Sequence, residues 1–103
     1  MTRDIFLSFC STLELAEVYV PFALDPDTKA ARHAGGKWFA LLINLSGEDV
    51  INLKCDPFLA ELLRKEHPEV MPGFYSDKRT WNSVDLGGGL PAQRLKLMID
   101  ESY

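Results

Sequence analysis

The chain has 103 residues, of which 47% are hydrophobic and 25% are charged, and its formal net charge is −4. This length predicts one domain over residues 1–103, with a core that needs no metal ion or disulfide. The longest apolar run, residues 38–43, is too short to cross a membrane. The first residues form no continuous apolar signal core, so we expect a cytoplasmic protein without a membrane partner.

The first half of the chain predicts one helix and three strands. Thr2 suits an N-cap, and apolar residues at helical spacing predict a helix over residues 2–13. Residues 14–22 are predicted to be irregular or a short edge strand. Strands are predicted over residues 29–34, 37–45 and 50–55, joined by hairpins at Gly35-Gly36 and at residues 46–49.

The second half predicts two helices and two strands. Asp56 suits an N-cap and Pro57 a first helical position, so a helix begins there and ends at His67-Pro68. A short strand at Phe74-Tyr75, a strand over residues 81–86 and a final helix over residues 91–103 follow. The order α-β(3)-α-β(2)-α predicts an α+β fold, in which helices cover an antiparallel sheet.

Basic charge is confined to one short segment. Residues 29–47 carry Lys29, Arg32 and Lys37 and no acid, whereas the segments on both sides are net acidic. With His33, these residues form a basic hairpin that would suit the tracking of phosphates. The alternative is a solvated hairpin whose charges discourage aggregation through the sheet edge. The acidic chain as a whole opposes the approach of nucleic acid.

A second candidate surface combines cations, amides and an aromatic ring, a combination that suits a nucleic-acid backbone or an anionic ligand. Its members are Asn52, Lys54, Lys78, Arg79, Trp81 and Asn82. In the alternative interpretation, Trp81 belongs to the core, Asn82 holds a turn and Lys54 pairs with a carboxylate.

Candidates for catalysis are few. Cys55 ends a strand before a helix N-terminus, where a thiolate is stabilised. However, Asp56 opposes an anion there, and strand alternation places Cys55 on an apolar face, so we interpret it as a buried small side chain. Cys10 and Cys55 are predicted to be reduced. No metal-ligand spacing and no phosphate-binding loop is present, so we predict no cofactor, no metal site and no enzyme activity.

Several blocks, spread in order along nearly the whole chain, resemble the MmcQ/YjbR family. They are Gly36–Leu41, Asn52–Pro57, Pro72-Gly73, Lys78, Trp81–Val84 and Leu97–Tyr103. The resemblance implies a small α+β fold of the kind likened to secretion chaperones and to CyaY. Members are commonly labelled DNA-binding, which implies a non-enzymatic binding module with DNA as its partner.

The resemblance also leaves other functions open. The likeness to secretion chaperones implies, as the alternative, an adaptor that binds a protein partner or forms a homodimer. A Cys55-dependent enzyme is the least favoured function. Asp77 stands where the family has a neutral amide, which weakens a phosphate-binding role for Lys78.

Overall fold

The computed structural model describes all of residues 1–103, as three helices and one sheet of six strands. The elements, in chain order, are α1 (Arg3–Thr12), β1 (Ala16–Tyr19), β2 (Lys29–His33), β3 (Trp38–Leu45), β4 (Glu48–Lys54), α2 (Pro57–Glu66), β5 (Val70–Pro72), β6 (Trp81–Asp85) and α3 (Ala92–Ser102). The sheet order is β1-β2-β3-β4-β6-β5, and all neighbours are antiparallel. The α+β prediction is confirmed, and of the two alternatives for residues 14–22 the short edge strand is present, as β1.

All three helices pack on one face of the sheet. The strand register aligns Leu42 with Ile51 and Ile51 with Val84, so these side chains form one row on that face. Phe6 of α1, Leu63 of α2 and Ile99 of α3 join them in a single hydrophobic core. The opposite face carries no helix, and we call it the helix-free face.

The predicted caps of the first two helices are confirmed. Thr2 accepts a hydrogen bond at its Oγ1 from the Ile5 amide at 3.2 Å. The Asp56 carboxylate accepts from the amides of Phe58 and Leu59 at 3.1 and 3.2 Å, with Pro57 as the first helical residue. These side chains satisfy amides that have no partner within the helix, which fixes where each helix begins.

Two turns show what local sequence can and cannot predict. Ser46 and Gly47 have φ values of 52° and 88°, as a two-residue hairpin turn requires. The predicted strand at Phe74-Tyr75 is wrong, because these residues form a turn in which Tyr75 has a φ of 57°. The strand that pairs with β6 at this edge is Val70–Pro72 instead.

No helix of the chain has the length and hydrophobicity that a membrane crossing needs.

Gly73 directly follows β5 and packs against Trp81, the first residue of β6. A Cβ at this position would lie 2.7 Å from the Trp81 Cβ and 2.9 Å from the Trp81 carbonyl oxygen. We therefore expect Gly73→Ala to lower the free energy of unfolding in urea by about 1–3 kcal/mol, since the backbone must shift to admit the methyl group. Gly89→Ala is the control, because its nearest contact is the Glu69 carboxylate at 3.7 Å. Equal stability of the two variants would contradict the close approach.

Candidate functional site

Aromatic and cationic side chains lie together on the helix-free face at one end of the sheet. Lys54 of β4 is opposite Trp81 of β6, and Arg32 of β2 is opposite Trp38 of β3. Residues that are opposite each other in an antiparallel pair project on the same face. The register between β2 and β3 shifts at this point and leaves Phe39 as an extra residue. This bulge puts both Phe39 and Ala40 in the core and turns Trp38 to the helix-free face.

The hairpin between β2 and β3 adds a second lysine to this cluster. Gly36, Lys37, Trp38, Lys54 and Trp81 line one shallow depression, which we call the tryptophan–lysine surface. Neither lysine forms an ion pair, because the salt bridges of the structure join only Arg32 to Glu17 and Lys65 to Glu61. The surface therefore places two lysines that form no ion pair beside two half-buried tryptophans.

Arg32 has a structural role on the same face. Its Nε donates to the Glu17 carboxylate at 2.9 Å, and its guanidinium lies 4.2 Å from the centre of the Tyr19 ring. The hydrogen bond to Glu17 raises the pKa of Arg32 above its ordinary value. The Tyr19 hydroxyl in turn accepts a hydrogen bond from the Trp38 indole. Arg32 is thus neutralised, and through Tyr19 it belongs to the network that orients Trp38.

The other residues of the basic hairpin lie apart from Lys37. Lys29 is at the opposite end of β2, where its ammonium donates to the Pro26 carbonyl. His33 lies on the helix side, with its ring centre 4.6 Å from that of Tyr103 and 5.4 Å from that of Phe39. The four residues therefore do not form one continuous basic surface.

Asn52 anchors a loop on the helix-free face. Its side chain is 1% exposed, and its Nδ2 donates to the Phe74 carbonyl at 2.6 Å and to the Ser76 hydroxyl at 3.1 Å. Its Oδ1 accepts from the Ser83 hydroxyl, which itself accepts from the Phe74 amide at 2.9 Å. Asn52 therefore fastens residues 74–76 against the sheet and is not free to contact a ligand directly.

Asn82 faces the opposite way from Trp81, its neighbour in sequence. It is 1% exposed, and its Nδ2 donates to the Ala60 carbonyl of α2 at 3.2 Å. Its Oδ1 is buried without a hydrogen-bond partner. The structure thus places Asn82 under the helices, away from the tryptophan–lysine surface.

Lys78 and Arg79 belong to the loop that precedes β6. The Lys78 ammonium donates to the Gly73 carbonyl at 3.2 Å, and the Lys78 carbonyl accepts from Arg64 of α2 at 3.0 Å. Asp77 accepts from the Arg79 amide at 2.9 Å, which gives this acid a role in the turn. The Arg79 side chain is exposed, and Lys78 is used to hold the loop.

The two cysteines are free thiols in poor environments for nucleophilic chemistry. Burial raises the pKa of Cys10 to about 12. Burial, followed by the nearby carboxylates of Glu101 and Asp56, raises the pKa of Cys55. Both thiols are therefore protonated at neutral pH, whereas the thiolate is the reactive form. No group of three or more His, Cys, Asp or Glu side chains is arranged to hold a metal ion.

Sequence reasoning missed a pocket beside the tryptophan–lysine surface. It has a volume of about 290 Å³, and its floor and walls include Trp38 and Leu41 of β3, Asn52 of β4, Phe22, and the loop of residues 74–76. Trp38 lines both the pocket and the tryptophan–lysine surface. The sequence indicates only that Trp38 belongs to a continuous apolar strand. The bulge at Phe39, which the sequence does not predict, is what turns Trp38 toward the pocket.

The chain is similar in sequence to one family of proteins. The YjbR family model matches residues 12–103. The uncharacterized protein YjbR of Escherichia coli K12 is 37% identical over 65 residues, which is 63% of this chain and 55% of the relative, about half its length. The uncharacterized protein YbdF of Escherichia coli O157:H7 is 33% identical over 91 residues, which is 88% of this chain and 74% of the relative.

Two solved structures share the whole fold. A crystal structure of a Pseudomonas syringae protein superimposes with a TM-score of 0.90 at 30% identity, and the match covers 100% of this chain and 97% of the other. A Deinococcus radiodurans protein, described by the domain name DUF419, has a TM-score of 0.83 at 31% identity over 99% of this chain and 75% of the other. Neither description names a ligand or an activity.

Proposed function

This chain belongs to the YjbR family, and we propose that it is a non-enzymatic module that binds single-stranded DNA on the helix-free face. The observation that carries the proposal is the tryptophan–lysine surface, where Lys37 and Lys54 lack carboxylate partners beside Trp38 and Trp81. We also propose a cytoplasmic location, which the free thiols of Cys10 and Cys55 fit because disulfides form in oxidising compartments.

The tryptophan–lysine surface combines the two kinds of side chain that bind single-stranded nucleic acid, aromatic rings and cations. Aromatic rings on an open sheet face give unpaired bases a platform for stacking, and nearby lysines contact the phosphates. Duplex DNA is less favoured as a ligand, because all three helices lie on the opposite face and the β2–β3 hairpin has only Lys37 without a partner, since Lys29 and Arg32 are bound to Pro26 and Glu17. The net charge of −4 also disfavours nonspecific attraction to a duplex, so binding depends on this local surface.

The proposal predicts weak and strongly salt-dependent binding of a fluorescently labelled single-stranded oligonucleotide, measured by anisotropy. If Lys37 and Lys54 neutralise two phosphates, the logarithm of the affinity falls with the logarithm of the salt concentration with a slope of about −1.4. The double variant Lys37→Gln/Lys54→Gln is expected to lose affinity on the order of tenfold at low salt, and its slope moves toward zero.

Lys65→Gln is the matched control for this experiment. Lys65 is an exposed lysine of α2 on the opposite side of the molecule, where it pairs with Glu61. The Lys65→Gln variant is expected to bind the oligonucleotide with the same affinity as the wild-type protein. Absence of binding by the wild-type protein at low salt would overturn the proposal, as would equal losses in the Lys65 variant and the double variant.

A second candidate function is protein interaction, and exposed apolar side chains on α2 favour it. Phe58 and Leu62, one helical turn apart, are 78% and 39% exposed. An unpartnered apolar pair on a helix suits a protein partner or a second copy of the chain. In the homodimer form of this function, light scattering would show a dimer at high concentration that Phe58→Glu converts to a monomer. A wild-type protein that stays strictly monomeric would exclude that form.

A further inference from the structure

The pocket beside the tryptophan–lysine surface has the shape and chemistry of a site for one flat ring. We propose that it takes a single unstacked nucleobase of the bound strand, an inference that rests on the proposed function. Its volume is about 290 Å³, at the lower end of the range for small-molecule sites. Most of its lining is apolar, and four of the lining side chains are aromatic: Phe22, Trp38, Phe74 and Tyr75.

Three of the four aromatic residues that line the pocket are exposed to solvent. Phe22 is 50% exposed, Phe74 is 36% exposed and Tyr75 is 88% exposed. Phe22 meets Trp38 edge to face, with ring centres 6.1 Å apart. A planar ligand that enters between such rings removes their apolar surface from water and gains stacking contacts.

The charge of the pocket selects the part of a nucleotide that can enter it. Asp25 is the one charged residue among the lining side chains, and no lysine, arginine or histidine is present. A phosphate would be repelled, whereas the N–H groups of a base suit the carboxylate. Asp25 already accepts from the Thr28 hydroxyl at 2.6 Å through one oxygen, which leaves its second oxygen free to accept.

The rim of the pocket is preorganised. Asn52 holds the Phe74 carbonyl and the Ser76 hydroxyl, and Ser83 holds the Phe74 amide. Between these anchored neighbours, Tyr75 adopts a φ of 57°, a conformation that a bulky side chain rarely takes. Such backbone strain persists where surrounding contacts impose it, and it occurs often in ligand clamps. Here it projects a mostly exposed ring at the mouth of the pocket.

The pocket and the lysines suit different parts of one nucleotide: the pocket suits the base, and the lysines suit the phosphate. The pocket accepts a neutral ring and repels an anion, while Lys37 and Lys54 attract an anion, and Trp38 joins the two sites. An aromatic side chain of a protein partner would fill the pocket but would bring no anion for Lys37 and Lys54 to bind. A base attached to a phosphate backbone uses both.

The test compares two short deoxyribose-phosphate strands of equal length at low salt. In one strand every position is abasic, and in the other a single central position carries adenine. The wild-type protein is expected to bind the single-base strand about fivefold more tightly or better, which is the range for stacking one base. Phe22→Ala is expected to abolish this gain while binding of the abasic strand remains unchanged. Phe58→Ala, which removes an exposed ring on α2, is the matched control and keeps the gain.

The outcomes separate the two proposals. If neither strand binds, the proposed function itself fails, and the inference fails with it. If the gain survives in Phe22→Ala, the base stacks elsewhere on the helix-free face and only the inference is overturned. If both strands bind equally, neither the pocket nor the tryptophan–lysine surface holds the base, and the base-stacking part of the proposed function fails with the inference. If N-acetyltryptophanamide displaces the single-base strand at lower concentration than adenosine does, the pocket suits a protein side chain, and the inference is again overturned.

Discussion

Replacing Asn52 by leucine is expected to lower the free energy of unfolding by about 2–4 kcal/mol. The side chain is 1% exposed and makes hydrogen bonds to Phe74, Ser76 and Ser83. Leucine has a similar volume but no polar side-chain atoms. The Phe74 carbonyl and the Ser83 hydroxyl therefore each lose a hydrogen-bond partner where the loop of residues 74–76 covers the helix-free face. Each buried polar group left unsatisfied costs roughly 1–3 kcal/mol. Urea unfolding at neutral pH measures the difference.

Asn82→Leu provides the matched comparison. Asn82 is equally buried, but it makes one hydrogen bond, to the Ala60 carbonyl, and its Oδ1 has no partner. Removing that unsatisfied oxygen offsets part of the loss, so we expect Asn82→Leu to be the less destabilising of the two. Equal or reversed losses would show that Asn52 does not anchor the loop of residues 74–76.

Stability is expected to fall steeply in alkaline solution because of Cys10. Its pKa is 9.0 when unperturbed and about 12 in the folded protein, where burial opposes the thiolate. Between these values the unfolded chain releases a proton that the folded chain keeps, so rising pH favours the unfolded state. One proton difference corresponds to a slope of about 1.4 kcal/mol per pH unit. Cys55, whose pKa is also raised, contributes with the same sign.

Urea unfolding from pH 8 to 10.5 measures this slope. Cys10→Ala is expected to be less stable than the wild-type protein at neutral pH, since it leaves a cavity in the core. Its stability should nevertheless fall less steeply with pH, because the titrating thiol is gone. An unchanged slope in Cys10→Ala would contradict the assignment to Cys10.

Much of the fold could be predicted because its signals are local. The caps at Thr2 and Asp56 and the hairpin turn at Ser46-Gly47 each depend on a few adjacent residues. The strand at residues 70–72 was missed because an edge strand this short carries little hydrophobic periodicity, and Phe74-Tyr75 reads as more strand-like. What excludes Phe74-Tyr75 from the sheet is the contact of Asn52 and Ser83 with this turn, which is long-range.

The candidate site was predicted only in part. Strand alternation correctly placed Lys54 on the face away from the core, and Trp81 lies beside it. Lys37 joins them because its hairpin ends at the same end of the sheet, and Trp38 joins them because the bulge at Phe39 changes the phase of β3. Neither the strand order nor the bulge can be read from the local pattern of residues.

The most direct test of binding on the helix-free face is a ¹⁵N–¹H NMR titration with a short single-stranded oligonucleotide at low salt. We predict that the indole N–H signals of Trp38 and Trp81 and the amide of Lys54 shift together, whereas the amides of α1, α2 and α3 stay in place. Shifts confined to α2, around Phe58 and Leu62, would contradict the account, as would a spectrum that does not change.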